Sequence, residues 1–98
     1  MKIAVVGIRY VGLSSGLLLA QNNEVVALDI VEQKVTMLQN RVSSFEDKEI
    51  ESYLKKKDLN FRATFNKEDA YHNADFVIIS TPSEFILEIY LEKTVKAI

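Results

Sequence analysis

Cysteine is missing from this 98-residue chain, proline occurs once and glycine only three times. Without cysteine there is no disulfide framework, no zinc-thiolate centre and no thiol nucleophile among these residues. Stability must come from an apolar core, which suits a reducing compartment, and a cytoplasmic location is expected. So little proline and glycine excludes collagen-like and linker sequences. Excess charge of one sign is lacking too: 12 basic side chains stand against 14 acidic ones, for a net of -2. That balance leaves no basic field to hold nucleic acid or an anionic membrane surface. Apolar stretches fall far short of the ~20 residues that a membrane span needs. The first of them, Ile3–Val6, is also too short for the apolar segment of a secretion signal. What the chain does have is apolar side chains, 48% of its residues. That is enough for one packed domain over residues 1–98.

The apolar residues fall into alternating patterns. Ile3-Ala4-Val5-Val6 is rich in β-branched residues and ends at Gly7, as a strand buried on both faces does. A helix is predicted over Val11–Gln21, then a strand over Glu24–Asp29 and a helix over Glu32–Leu38. Asn40–Phe45 is irregular. Asp47–Lys57 reads as a helix with Ile50, Tyr53 and Leu54 on one stripe. Leu59–Ala63 alternates as a strand, Asn66 caps a short helix over Lys67–Asn73, and Phe76–Ser80 is a further buried strand. This order predicts an α/β fold: a partial, Rossmann-like doubly wound parallel sheet of about four strands in order 3-2-1-4. Beyond it, Glu84–Ile98 suits a helix with Phe85, Ile86, Ile89 and Tyr90 on one stripe, although Phe85-Ile86-Leu87 also suits the start of a strand. Self-association through this apolar segment or a bare sheet edge is expected.

Chemistry concentrates in the turn Gly7-Ile8-Arg9-Tyr10-Val11-Gly12. It stands where a G-x-G-x-x-G turn joins a first strand to a first helix and brings backbone N–H groups to a pyrophosphate. The first and third glycines are present, and Arg9 replaces the second. Two readings of Arg9 are open: its guanidinium meets a phosphate, or its Cβ and restricted backbone hinder the close approach that glycine permits. The second is expected to dominate. Asp29, 22 positions after Gly7, is placed to accept hydrogen bonds from ribose hydroxyls, and its charge favours NAD over NADP. It also suits an ordinary strand-terminal cap. Lys34 is a candidate for the ribose or the adenine, or a solvated helix lysine. Thr81-Pro82-Ser83 lies past the carboxyl end of the fourth strand, where ligands of such sheets bind. His72 reads as a solvated helix end, Lys55-Lys56-Lys57 as a helix C-terminus and Tyr53 as core.

These residues carry a resemblance. Gly7-Ile8-Arg9-Tyr10-Val11-Gly12-Leu13-Ser14-Ser15-Gly16 resembles the opening of bacterial UDP-glucose 6-dehydrogenases, in which the second motif position is glycine. Glu24–Ile30, Asp47–Ile50, Asn60–Thr64 and Ala74–Pro82 continue the likeness in order, and it is strongest over residues 1–83. The resemblance implies an N-terminal NAD-binding domain of a dimeric enzyme that oxidises UDP-glucose to UDP-glucuronate. It implies NAD contacts at Gly7, Ile8, Arg9, Tyr10, Val11, Gly12, Asp29, Lys34, Thr81, Pro82 and Ser83. The family's catalytic cysteine and sugar-nucleotide site are not in this chain, so the chain alone is expected not to catalyse the reaction. The alternative is a non-catalytic Rossmann-like interaction module with weakened NAD binding. A flavodoxin-like or receiver-type domain fits the first turn less well.

Overall fold

The computed structural model describes residues 1–43, 45–56 and 58–80. Within them the chain forms β1 (Lys2–Val6), α1 (Tyr10–Leu19), β2 (Glu24–Leu28), α2 (Glu32–Gln39), α3 (Lys48–Leu54), β3 (Phe61–Thr64), α4 (Lys67–Tyr71) and β4 (Phe76–Ile79). The strands make one parallel sheet in the order β3-β2-β1-β4. The expected element order and strand order are both present. The ends differ by a few residues: Asp29 lies just past β2, Leu59 precedes β3, and α3 stops at Leu54. The predicted reading of Glu84–Ile98, and the residues Thr81, Pro82 and Ser83, lie outside the described residues.

Alternation along the strands divides the core in two. Ile3, Val5, Val25, Ala27, Phe61 and Ala63 face one side. There they meet Leu13 and Leu17 of α1, Val35 and Leu38 of α2, and Ile50 and Leu54 of α3. Ala4, Val6, Val26 and Leu28 face the other side, against Ala70 and Tyr71 of α4. Both faces of β1 and β2 are therefore covered, as their unbroken apolar runs require.

β4 differs from its expected burial on both faces: Phe76 is 57% and Ile79 36% exposed. Among the described residues it is a terminal strand of the sheet, bonded on one side to β1. An apolar run marks a strand but does not say whether neighbours lie on both sides.

Helix ends follow from local chemistry. The Asp47 carboxylate accepts from the amides of Glu49 and Ile50, and Asn66 Oδ1 accepts from those of Glu68 and Asp69. These are side-chain caps for α3 and α4. α2 closes with Arg41 at φ 59, the Arg41 amide donating to Leu38 and the Val42 amide to Met37. That is a Schellman closure without its usual glycine.

One buried group is left over. The Tyr71 hydroxyl is buried with no hydrogen-bond partner among the described residues. Burial pushes its pKa up to about 12. Tyr71→Phe is expected to raise stability by about 1 kcal/mol, because an unpaired buried hydroxyl is removed while the ring stays. The folded pKa lies above the unfolded value of about 10. The contribution of this ionisation to stability is therefore complete below about pH 10 and lost as pH rises toward about 12. Denaturant titrations at neutral and alkaline pH check both points. Equal or lower stability of the variant at neutral pH would refute the first.

Candidate functional site

The carboxyl ends of the four strands bring together the turn after β1, Asp29 after β2, Phe65 after β3 and Ser80 after β4. Gly7 opens the turn at φ 99, a left-handed conformation that favours glycine, and its amide donates to the Leu28 carbonyl at 2.8 Å. Gly12 permits the close approach of α1. A Cβ there would stand 2.3 Å from the Gly7 carbonyl oxygen and 3.2 Å from Ser80 Cβ. The first and third motif positions thus have the geometry expected of them.

Arg9 departs from one part of the expectation for the second position, the restricted backbone. It is the N-cap residue of α1 with φ -85 and ψ 174, extended backbone open to any residue. No positive φ is required, so replacing glycine costs no backbone strain. Its side chain is exposed and makes no hydrogen bond or ion pair among the described residues.

α1 has no side-chain cap and no acidic residue in its first turn. Its first ladder bond runs from the Leu13 amide to the Arg9 carbonyl at 2.8 Å. The amides of Tyr10, Val11 and Gly12 therefore stand outside the ladder at the positive end of the helix dipole. This donor set suits an anion.

Asp29 is only 7% exposed. One carboxylate oxygen accepts from the Ile8 amide at 2.8 Å, and the other from the Val31 amide at 2.9 Å. The residue ties the glycine turn to the end of β2, a role that spacing alone did not reveal. A carboxylate offers about four acceptor sites, so some capacity remains for a hydroxyl.

The other sequence candidates divide. Val11 is 66% exposed on the first turn of α1. Tyr10 turns toward α3: its hydroxyl donates to Asp47 at 2.6 Å, and its ring meets Phe45 edge-on with centroids 5.6 Å apart. Lys34 is half-buried on α2 with no ion pair among the described residues. Away from this end, His72 is exposed, and Tyr53 is partly buried against the core with Lys56 Nζ 4.6 Å from its ring centroid. Sequence reasoning overlooked Ile30 and Phe65, 66% and 57% exposed at this end of the sheet. Apolar residues just past strand ends, where polar ones are usual, were the available signal.

Two hollows among the described residues lie away from this end. One of about 600 Å³ opens at the amino ends of the strands, among Lys2, Asn22, Glu24, Asp58 and Asp75. Another of about 240 Å³ separates α1 from α3 beside Tyr10, Ser14, Asp47 and Tyr53. Neither is lined by Gly7 or Asp29.

The Tyr10–Asp47 bond has a pH consequence. The Tyr10 hydroxyl first, and the Ile50 amide second, hold the Asp47 carboxyl below its usual range. The same contact raises Tyr10. With a depressed folded pKa, the contribution of Asp47 is complete above about pH 3.9 and lost as pH falls through the folded value. Tyr10→Phe is expected to return Asp47 toward the ordinary carboxylate range. Carboxyl NMR titration reads this directly, and an unmoved Asp47 would show that the hydroxyl is not responsible.

A parallel sheet in this order, with a glycine turn after the first strand and a buried acid after the second, defines the first half of a Rossmann dinucleotide-binding domain. The model of the UDP-glucose/GDP-mannose dehydrogenase family, NAD binding domain, matches residues 1–98, and the chain belongs to that family. It is 40% identical over 89 residues to a UDP-glucose 6-dehydrogenase of Streptococcus pneumoniae, covering 91% of this chain and 23% of that protein. A UDP-glucose 6-dehydrogenase of Campylobacter jejuni is 45% identical over 87 residues, covering 87% and 22%. The chain therefore spans under a quarter of the length of these curated relatives. Among solved structures, a UDP-D-ManNAc dehydrogenase from Pyrococcus horikoshii superposes with a TM-score of 0.76 at 28% identity, over 83% of this chain and 20% of that one. A GDP-mannose dehydrogenase from Pseudomonas aeruginosa gives 0.77 at 21% identity, over 84% and 20%, a likeness of fold. No helix among the described residues is long and apolar enough to cross a membrane.

Proposed function

We propose that this chain is the cofactor-holding part of a cytoplasmic UDP-glucose 6-dehydrogenase. The observation that carries the reading is the glycine turn, held by Asp29 beside the uncapped start of α1. The amides of Tyr10, Val11 and Gly12 hold the pyrophosphate, and Gly7 and Gly12 let the backbone approach it. Arg9 adds charge at the same place. Asp29 accepts from a ribose hydroxyl with its remaining capacity, and Lys34 lies on the helix that follows it. Ile8 contributes through the hydrogen bond that its backbone N–H donates to Asp29, while exposed Ile30 and Phe65 offer apolar surface to the base. Thr81, Pro82 and Ser83, which follow β4 in the sequence, stay candidates for the cofactor. NAD, when bound, supplies the hydride acceptor. The thiol chemistry and the UDP-glucose site belong to the rest of a longer protein, because this sequence has no cysteine.

Titration calorimetry of the 98-residue chain with NAD tests the reading. Saturable binding is expected, with no NADH formed when UDP-glucose is added. Absence of binding would refute the cofactor role, and sustained NADH formation by pure protein would refute the division of labour. The edge of β4, unpaired among the described residues, favours a second role for the same domain, as a surface that joins a second copy. Light scattering showing only monomer at high concentration would remove it.

A further inference from the structure

We infer that Asp47 is a positioning residue for the cofactor turn: through the Tyr10 hydroxyl it holds the start of α1 in the form that meets the pyrophosphate. The inference rests on the cofactor reading above and adds a residue that does not itself touch the cofactor.

The first turn of α1 is short of the usual means of holding itself together. Its N-cap residue, Arg9, makes no side-chain capping bond, and no acidic residue stands in the turn to meet the dipole. The amides of Tyr10, Val11 and Gly12 lie outside the ladder, which begins with the Leu13 amide on the Arg9 carbonyl. A turn of this kind frays readily, and a frayed turn must be ordered again before its amides can hold an anion.

Tyr10 supplies the missing hold. Its hydroxyl donates to Asp47 Oδ2 at 2.6 Å, across 37 residues of sequence, and its ring stands edge-on to Phe45. Ser14 Oγ donates to the Tyr10 carbonyl at 2.9 Å, so Tyr10 is held at both side chain and backbone. The far end of the tie is fixed as well. Asp47 Oδ1 accepts from the Glu49 and Ile50 amides at 2.9 and 3.1 Å, which leaves Oδ2 for Tyr10. Behind it α3 is anchored by Ile50 and Leu54, in the same core that receives Leu13 and Leu17 of α1. One carboxylate thus caps α3 and steadies α1. The bond lies at the surface, where water replaces a lost partner, so its removal should tell on the order of the first turn rather than on the core.

Two variants test this. Asp47→Ser keeps a good N-cap for α3, but its single oxygen is taken up by that cap and none remains for Tyr10. Tyr10→Phe keeps the ring beside Phe45 and removes the hydroxyl. Calorimetry on the 98-residue chain should show NAD binding about fivefold weaker in each variant, and no weaker in the double variant. In the free protein, NMR order parameters of the Tyr10, Val11 and Gly12 amides should fall in both variants, while those of Ile50–Leu54 hold. A residue that merely caps α3 would show the reverse. NAD binding at parent affinity in both variants would overturn the inference and leave the cofactor reading intact, as would losses that add in the double variant. Tighter binding in Asp47→Ser with no change in Tyr10→Phe would overturn it too, because the carboxylate would then act by its charge alone. Absence of NAD binding by the parent chain would refute the cofactor reading and this inference with it.

Discussion

Gly12→Ala is expected to lower stability by about 2–3 kcal/mol, because the added methyl has nowhere to go. Its carbon would stand 2.3 Å from the Gly7 carbonyl oxygen, a backbone atom fixed by the Gly7 turn. Ser80 closes the other side, with its Cβ 3.2 Å away. Helix α1 must then move off the turn, which breaks the close packing of Leu13 and Leu17 beneath it. Gly16→Ala is the control. A Cβ at that position meets Val25 and Val5 at 3.5 Å and Phe61 at 3.7 Å, ordinary contacts. Alanine is also the better helix former by up to about 1 kcal/mol, so this change should be neutral or stabilising. Urea midpoints of the two variants decide the matter. Equal midpoints would mean that the turn yields more easily than its geometry implies.

Asp29→Ala should cost about 2–4 kcal/mol through a different mechanism. The carboxylate satisfies the Ile8 and Val31 amides, and its removal leaves the buried Ile8 amide and the part-buried Val31 amide without their acceptor. Each such orphaned donor costs about 1–3 kcal/mol. Asp29→Asn keeps one carbonyl oxygen but turns an NH₂ group toward the second amide, so its loss should be nearly as large. NAD affinity should fall in both variants, because the turn is no longer tied to β2. An unfolding midpoint equal to that of the parent chain would show that the clamp contributes nothing. Retained stability with lost NAD binding would instead make Asp29 a ligand contact alone.

Much of the fold was legible because its signals are local. Short runs of β-branched residues separated by helical spacing can form a parallel sheet in few ways, and the handedness of crossovers leaves 3-2-1-4 favoured. The glycines at positions 7 and 12 were legible for the same reason: each answers a steric demand of its own turn. Asp29 was found by spacing, but spacing says nothing about where carboxylate oxygens point. The backbone part of the Arg9 expectation failed because a glycine in this motif suggests a special backbone angle, whereas the residue adopts an extended one. The exposure of β4 depends on what lies beside it, which no apolar count contains. The place of Tyr10 in the motif speaks for its backbone amide and says nothing of its hydroxyl, which donates to the Asp47 cap.

The position of β1 between β2 and β4 carries a consequence for the order of events during synthesis. β1 is made first, and β2 can pair with it once α1 has formed. Its other edge waits for β4, a closure made visible by the Lys2 amide on Asp75 across a separation of 73 residues. At roughly 5–20 residues per second on the ribosome, that gap is on the order of 4–15 s. Through this interval the nascent chain carries the apolar strand Lys2–Val6 with one side unpaired, a template for any neighbouring strand. A chaperone that engages this chain during translation would therefore find its first strand open until the stretch Phe76–Ile79 has left the exit tunnel.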